Sequence, residues 1–432
     1  MLDIQFIREN ADKVKQNATN KNVDVDVDGL LKADEEYRHL LPEVEELRGR
    51  RKRLAESAKG QKPSPEQIQQ GQEIKEALNP KWEKMEDALN HRNDLLREVP
   101  NMALDDVPIG ASEDENVVSK KVGEPTKFDF EPKNHAEIAE AKGWLDKERA
   151  AKVTGARFAY LKGDLVKLQF AIIQFVIDKL SDQEFLREVI AENDLQVSDK
   201  PFTPVIPPFM LRTEMYDAMD RLEPRDDRYK IEDEDLWLQG SAEHVLGSMH
   251  ADEIFEEQDL PVRYLGYATS FRREAGTYGK DMEGMFRMHQ FDKLEMESLD
   301  LAENGLQEHL FMIAIQEKIM QLLGIPYQVL TKCTADIGKP NARGVDIEGW
   351  MPGQGKYRET HTADYMTDYQ ARRLKTRVRR NDGTVQLVHT NDATAIPLSR
   401  GPIAIIENYQ TADGNVRVPE VLRPYIQNKE QI

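Results

Sequence analysis

Residues 270–297, SFRREAGTYGKDMEGMFRMHQFDKLEME, decide how the rest of the chain is read. Two extended runs, 267–274 and 285–297, flank a connection in which Gly276, Gly279 and Gly284 supply turn freedom. Side chains alternate along a strand, so Arg272 and Glu274 share one face of the first run. Arg287, His289, Phe291, Lys293 and Glu295 share one face of the second. Closed in register, that face suits a ligand with a phosphate, a flat ring and an ammonium group. Arg272 would fork onto the phosphate, Phe291 stack on the ring and Glu295 pair with the amine. A solvated hairpin of mixed charge is the alternative, because such alternation is ordinary on antiparallel sheets.

The order FRxE, glycine loop, HQFDKxE resembles motif 2 of class II aminoacyl-tRNA synthetases, and specifically the seryl-tRNA synthetase family in its bacterial type. Other stretches extend the resemblance over nearly the whole chain. FTPVIPPFML (202–211) is similar to motif 1, with Pro208 as its proline and Pro201 where the family commonly has glycine. GSAE (240–243) matches the family's TAE tripeptide, with Ser241 in place of threonine, and DIEGWMP (346–352) matches its DxExWMP strand. YRETHTADYMTDYQARR (357–373) stands where the family has an E-x-S-S-C-S-N run. Glu359 and Thr362 keep the carboxylate and hydroxyl, while His361, Ala363, Asp364 and Tyr365 depart from it. HTNDATAIPLSRGP (389–402) resembles motif 3; Asp392 replaces the usual asparagine, and Arg400 precedes a Gly-Pro pair suited to a helix start.

The resemblance implies activation of L-serine by ATP with Mg2+ and transfer to the 3′ end of serine tRNA, with selenocysteine tRNA as a second candidate acceptor. It makes Arg272 and Arg400 the catalytic charges, on the α- and γ-phosphates. ATP is expected against Arg272, Arg273, Glu274, Phe291, Glu359, Thr360, His361, Thr362 and Arg400, with magnesium held by Glu359 and Thr362. Serine is expected against Ser241, Ala242, Glu243, Arg272, Glu295 and Thr394. A catalytically silent relative that binds RNA is the alternative function. A carrier-protein aminoacyl transferase would lack the long arm described next.

Ahead of this region lie two long segments with apolar residues at three-four spacing, Leu30 to Ala58, broken once by Arg51, and Ile68 to Val99. They predict an antiparallel helical hairpin, capped at Asp28 and bent at Pro42 and Pro80, whose second helix of roughly 33 residues would run about 50 Å. The chain carries a formal charge of −20 over 432 residues, so its field as a whole repels nucleic acid. The arm tip reverses that sign with Arg48, Arg50, Arg51, Lys52, Arg53, Lys59 and Lys62, a phosphate-backbone surface that matches the tRNA-binding arm of the family. The expected class is therefore α+β. The expected division is a tRNA-binding domain over 1–107 with its arm over about 28–100, a linker over 108–135, and a class II catalytic domain with an antiparallel sheet over 136–432.

A single cysteine, Cys333, excludes an internal disulfide framework. The charged start and the lack of a long apolar run lead us to expect a soluble cytoplasmic protein without a membrane partner. The resemblance, through motif 1, implies a homodimer and no DNA partner. Zinc is not expected: Cys333, His361 and His389 lack close ligand spacing. His289 reads as a hairpin structural residue, and FAIIQFVI (170–177) as a buried helix.

Overall fold

The computed structural model describes residues 1–60, 62–274 and 284–432. It divides into two compact units, Met1–Met102 and Ala103–Ile432.

In the first unit, helices α1 (Val27–Ser57) and α2 (Pro65–Glu98) pair along their length. The N-cap of α1 is Asp26, whose carboxylate accepts from the Gly29 N–H, rather than Asp28 in the first turn. Ser64 and Gln67 close a reciprocal capping box on α2. The predicted seam is the packed one: Val44, Leu47, Leu78 and Met85 are buried against Tyr37, Leu40, Leu41 and Trp82. Arg92 interrupts it because its guanidinium lies over the Tyr37 ring at 4.6 Å and reaches the buried Asp34 carboxylate at 3.5 Å. Gly71 faces Leu54 across the seam, where an added Cβ would make an ordinary 3.8 Å contact with Leu54 Cδ2. Helix continues through both Pro42 and Pro80. All seven basic residues expected at the tip are exposed. A short helix, Ala11–Asn20, precedes α1, and the chain between them forms no strand.

The second unit is built on an eight-stranded sheet: β1 (Val117–Val122), β2 (Thr203–Val205), β3 (Val262–Phe271), β4 (Gln290–Asp300), β5 (Tyr327–Thr331), β6 (Arg343–Met351), β7 (Lys356–Thr367) and β8 (His389–Pro397). The strand order is β1-β5-β6-β7-β8-β4-β3-β2, antiparallel except for the β2–β3 pair. β1 comes from the stretch expected as an irregular linker: its backbone pairs with β5 and extends the sheet edge. Helices α3 (Asp164–Leu180) and α4 (Gly305–Leu322) contribute to the core with Ile172, Phe175, Ile315 and Ile319, alongside Leu294, Met296, Val345 and Ile347 of the strands. Phe170, in the apolar run expected to be buried, is 63% exposed. No helix among the described residues is long and apolar enough to cross a membrane.

The central hairpin forms, but shifted from its expected bounds. Pairing runs from Val262↔Leu299 to Phe271↔Gln290, with one further hydrogen bond from the Arg272 N–H to the His289 carbonyl. Glu274 takes a left-handed backbone (φ 50°), so the first strand ends before it. Residues 285–289 are turn and bend rather than strand, which cancels the alternation expected for Arg287 and His289. Gly284 needs its missing side chain: with φ at 61°, a Cβ would come within 2.2 Å of His135 Nε2. Gly276 and Gly279 lie outside the described residues.

Candidate active site

One cavity of about 250 Å³ opens on the sheet face away from α4 and gathers Arg272, Glu274, Phe291, Glu295, Glu359, Thr360, Thr362, Thr394 and Arg400. Simple alternation would send Glu359 and Thr362, three residues apart, to opposite faces. A β-bulge prevents this. Ile347 pairs with His361 and Glu348 with Glu359, so Thr360 is the extra residue and the phase of β7 changes there. A second irregularity at Ala395 lets Pro397 share the cavity with Thr394.

At one end lie the groups suited to a nucleotide. Arg272 donates from Nε to the Gly240 carbonyl (2.8 Å) and its guanidinium lies over Phe291 at 5.4 Å. Glu274 is tied to Arg287 at 2.9 Å, and its carbonyl accepts from Arg157 at 2.7 Å. Arg400 is the first residue of helix α5 (Arg400–Asn408), not the residue before it, and pairs with Glu359 at 2.8 Å. Arg400 and Arg358 both lie over the Phe286 ring, at 4.8 and 4.0 Å. Desolvation raises the half-exposed Glu359 carboxyl, but Arg400 and Lys332 win and hold it below the usual range. Glu359 and Thr362 offer oxygen donors on one face, the donor type a magnesium ion takes.

The other end concentrates buried acids. Lys293 pairs with Glu295 and lies 3.6 Å from Glu243. Burial pushes the Glu243 carboxyl up, yet Lys293, His244 and Arg221 hold it well below the usual range. Burial pushes Glu295 and Glu297 well up. Asp392 is pushed to about 8, first by burial and then by Glu243 and Asp364, with Arg221 opposing. Thr394 stands opposite Glu295, and its carbonyl accepts from Gln316 of α4.

Some expected residues fall outside the cavity. Ser241 and Ala242 are fully buried at the start of the helix Glu243–Leu246 and do not line it, whereas Glu243 does. Arg273 lies over the Tyr229 ring at 5.3 Å, and His361 faces away, its Nδ1 2.8 Å from the Thr360 hydroxyl. His289 Nδ1 meets the Tyr229 hydroxyl at 2.6 Å. Cys333 donates to the Ser112 carbonyl and His389 meets the Tyr365 hydroxyl. Among the described residues no three His, Cys, Asp or Glu side chains are arranged to hold a metal by themselves. Arg221, Phe286 and Met288 line the cavity without having been singled out, and Lys293 lines it without an expected role. Only Lys293 carried a signal, its place on the Phe291 face; Arg221 follows a short helix (Thr213–Ala218) in a stretch without a motif.

A family model described as the seryl-tRNA synthetase N-terminal domain matches residues 1–103, and one described as the tRNA synthetase class II core domain (G, H, P, S and T) matches 228–409. The chain is 39% identical to the serine--tRNA ligase of Methanoregula boonei over 440 residues, covering 100% of both. It is 39% identical to that of Dictyoglomus turgidum, covering 99% of this chain and 98% of the relative. Among solved structures, the seryl-tRNA synthetase of Pyrococcus horikoshii complexed with ATP superposes with a TM-score of 0.87 at 37% identity, covering 100% of this chain and 99% of the other. Two family models in chain order, and full-length relatives whose names agree, leave one assignment: this chain belongs to the seryl-tRNA synthetase family of class II aminoacyl-tRNA synthetases.

Proposed function

We propose that this chain is a serine--tRNA ligase. It activates L-serine with ATP to seryl-adenylate and transfers the seryl group to the 3′ end of serine tRNA. The observation that carries this reading is the meeting of Arg272, Phe291, Glu295, Glu359, Thr394 and Arg400, from four strands or their ends and one helix, in one cavity.

In the first step a serine carboxylate oxygen attacks the α-phosphorus, the bond to the β-phosphate oxygen breaks, and pyrophosphate leaves. In the second a ribose hydroxyl of the tRNA attacks the seryl carbonyl, loses its proton, and AMP departs. Neither step asks covalent chemistry of a side chain, so positioning and charge neutralisation carry the rate. Arg272 neutralises the α-phosphate and Arg400 the γ-phosphate, Phe291 stacks on adenine and Glu274 accepts from its amino group. Glu359 and Thr362 hold magnesium, which supplies charge neutralisation to the phosphates when bound. Glu243, Glu295 and Thr394 take the serine. Alanine is rejected because it leaves their buried polar groups unpaired.

The exposed tip of the α1–α2 hairpin takes the tRNA backbone, and the protein works as a cytoplasmic homodimer of the bacterial type, with the segment around Pro208 at the dimer contact. Exposed Ile206 and Met210 in that segment support the contact; a monomeric mass by light scattering for a tRNA-charging sample would exclude it. The test of the chemistry is ATP/pyrophosphate exchange with serine, threonine, alanine and glycine, with and without zinc. Exchange with serine alone, independent of zinc, is expected. Exchange with none of the four would overturn the assignment.

A further inference from the structure

Beneath the amino-acid end, Asp364 of β7 stands opposite Asp392 of β8, and Asp392 opposite Glu297 of β4. All three are buried. Gly344 completes the row on β6, where a Cβ would lie 2.9 Å from Asp364 Oδ1. Like charges directly opposite on neighbouring strands repel, and burial sharpens the cost. Lys293 is committed to Glu295 and Glu243, and Lys332 lies 3.8 Å from Asp346 and 4.0 Å from Asp336.

The cation that meets the row directly is Arg221. Its Nη2 lies 3.4 Å from Asp392 Oδ2, 3.7 Å from Asp364 Oδ2 and 3.1 Å from Asn341 Oδ1. The arginine is held from behind, since its carbonyl accepts from Arg228 Nε and Nη2 at 3.3 and 3.2 Å. One guanidinium serves two carboxylates, with Lys332 as a further charge acting on Asp364. Asp392 and Arg221 both line the cavity, so this shared pairing is presented to whatever enters it.

We propose that Arg221 is a positioning residue for the amino-acid end: by bridging Asp364 and Asp392 it aims the Asp392 carboxylate at the ammonium group of the substrate amino acid. The proposal rests on the reading of the cavity as an amino-acid-activating site. Glu295 and Glu243 share Lys293 as Asp392 and Asp364 share Arg221, so Asp392 is a further cavity carboxylate that can meet the substrate's charge. A lysine at 221 would keep the charge but lose the fork that reaches two carboxylates at once.

The test is a double-mutant cycle in the full-length protein, read by ATP/pyrophosphate exchange with KM measured separately for the amino acid and for ATP. Arg221→Met and Asp392→Asn should each raise the amino-acid KM about 10-fold or more while the ATP KM stays within about twofold. Arg221→Met/Asp392→Asn should be no worse than the poorer single variant, because the arginine acts through the aspartate. Arg221→Lys should fall between parent and Arg221→Met, and it decides the question if Arg221→Met does not fold. Additive effects, a parallel rise in ATP KM, or an unchanged amino-acid KM in Arg221→Lys and Arg221→Met would overturn the proposal. Running the parent with serine, threonine, alanine and glycine separates the two readings. Exchange with an amino acid other than serine corrects the substrate and leaves the cycle valid for that amino acid, whereas no exchange at all overturns both.

Discussion

The two units handle charge in opposite ways. The arm keeps its seven tip cations exposed, where water screens them and a polyanion can reach them. The catalytic unit buries Glu243, Glu295, Glu297, Asp364 and Asp392 among a few cations, and the ionisation of each depends on its neighbours. Exposed charge is close to additive and acts by counterion release; buried charge is coupled, so one substitution alters several groups. A binding surface for a long flexible polyanion can be built the first way. A small pocket that must hold carboxylate, phosphate and ammonium in fixed places requires the second.

The largest effect expected from this contrast is in the cavity. Arg272→Ala should lower adenylate formation on the order of 10²-fold or more, because a preorganised positive charge is lost where negative charge builds up. Pyrophosphate exchange measures it, and a loss below about threefold would show that Arg272 is not a site charge. At the tip, replacing Arg48, Arg50, Arg51, Lys52 and Arg53 together by alanine should weaken tRNA binding about 10- to 100-fold at low salt and flatten its salt dependence. Exchange without tRNA should stay within about twofold. Equal loss of both activities would make the arm a folding element and erase the distinction between the units.

The smallest effect is on stability against pH. Burial, with help from neighbouring acids, raises Asp346 to about 7 and Asp300 to about 6, from an ordinary value of 3.8. Above pH 3.8 the unfolded chain has released these protons while the folded unit still holds them. Their contribution is therefore fully favourable below that value and is lost as pH rises through about 6 and 7. A Trp82→Phe variant leaves Trp144, Trp237 and Trp350 as reporters of the second unit. Its fluorescence melting midpoint should fall by several degrees between pH 5 and 8.5, and a flat or rising midpoint would contradict buried, protonated acids. Saturating ATP and magnesium should raise the midpoint at both pH values, since a ligand that binds only the folded state opposes unfolding.

Much of this was legible in the sequence because it depends on local order. Three-four spacing gave the α1–α2 seam, since helical period is a property of the backbone itself. The resemblance led to Arg272, Glu274, Phe291, Glu359, Thr394 and Arg400, which the sheet brings into one cavity. What failed was phase. Counting by twos put His289 on the face of Phe291, where it does not lie, and could not have placed Glu359 beside Thr362. Strand phase is set by the partner strand, and the bulge at Thr360 exists only in the pairing with β6. Ser241 and Ala242 were named for the pocket wall, yet they lie buried beside it.

By itself, then, the sequence determined the helical arm with its basic tip, the α+β class and the set of side chains that the ligand chemistry requires. Tertiary structure alone decided which of them face one cavity, that Arg221 joins them from a stretch without a motif, and how the buried acids are ionised. The physical reason is the same throughout. Periodicity and residue chemistry are carried by the chain, whereas strand phase, proximity and desolvation come into being only when distant segments pack together.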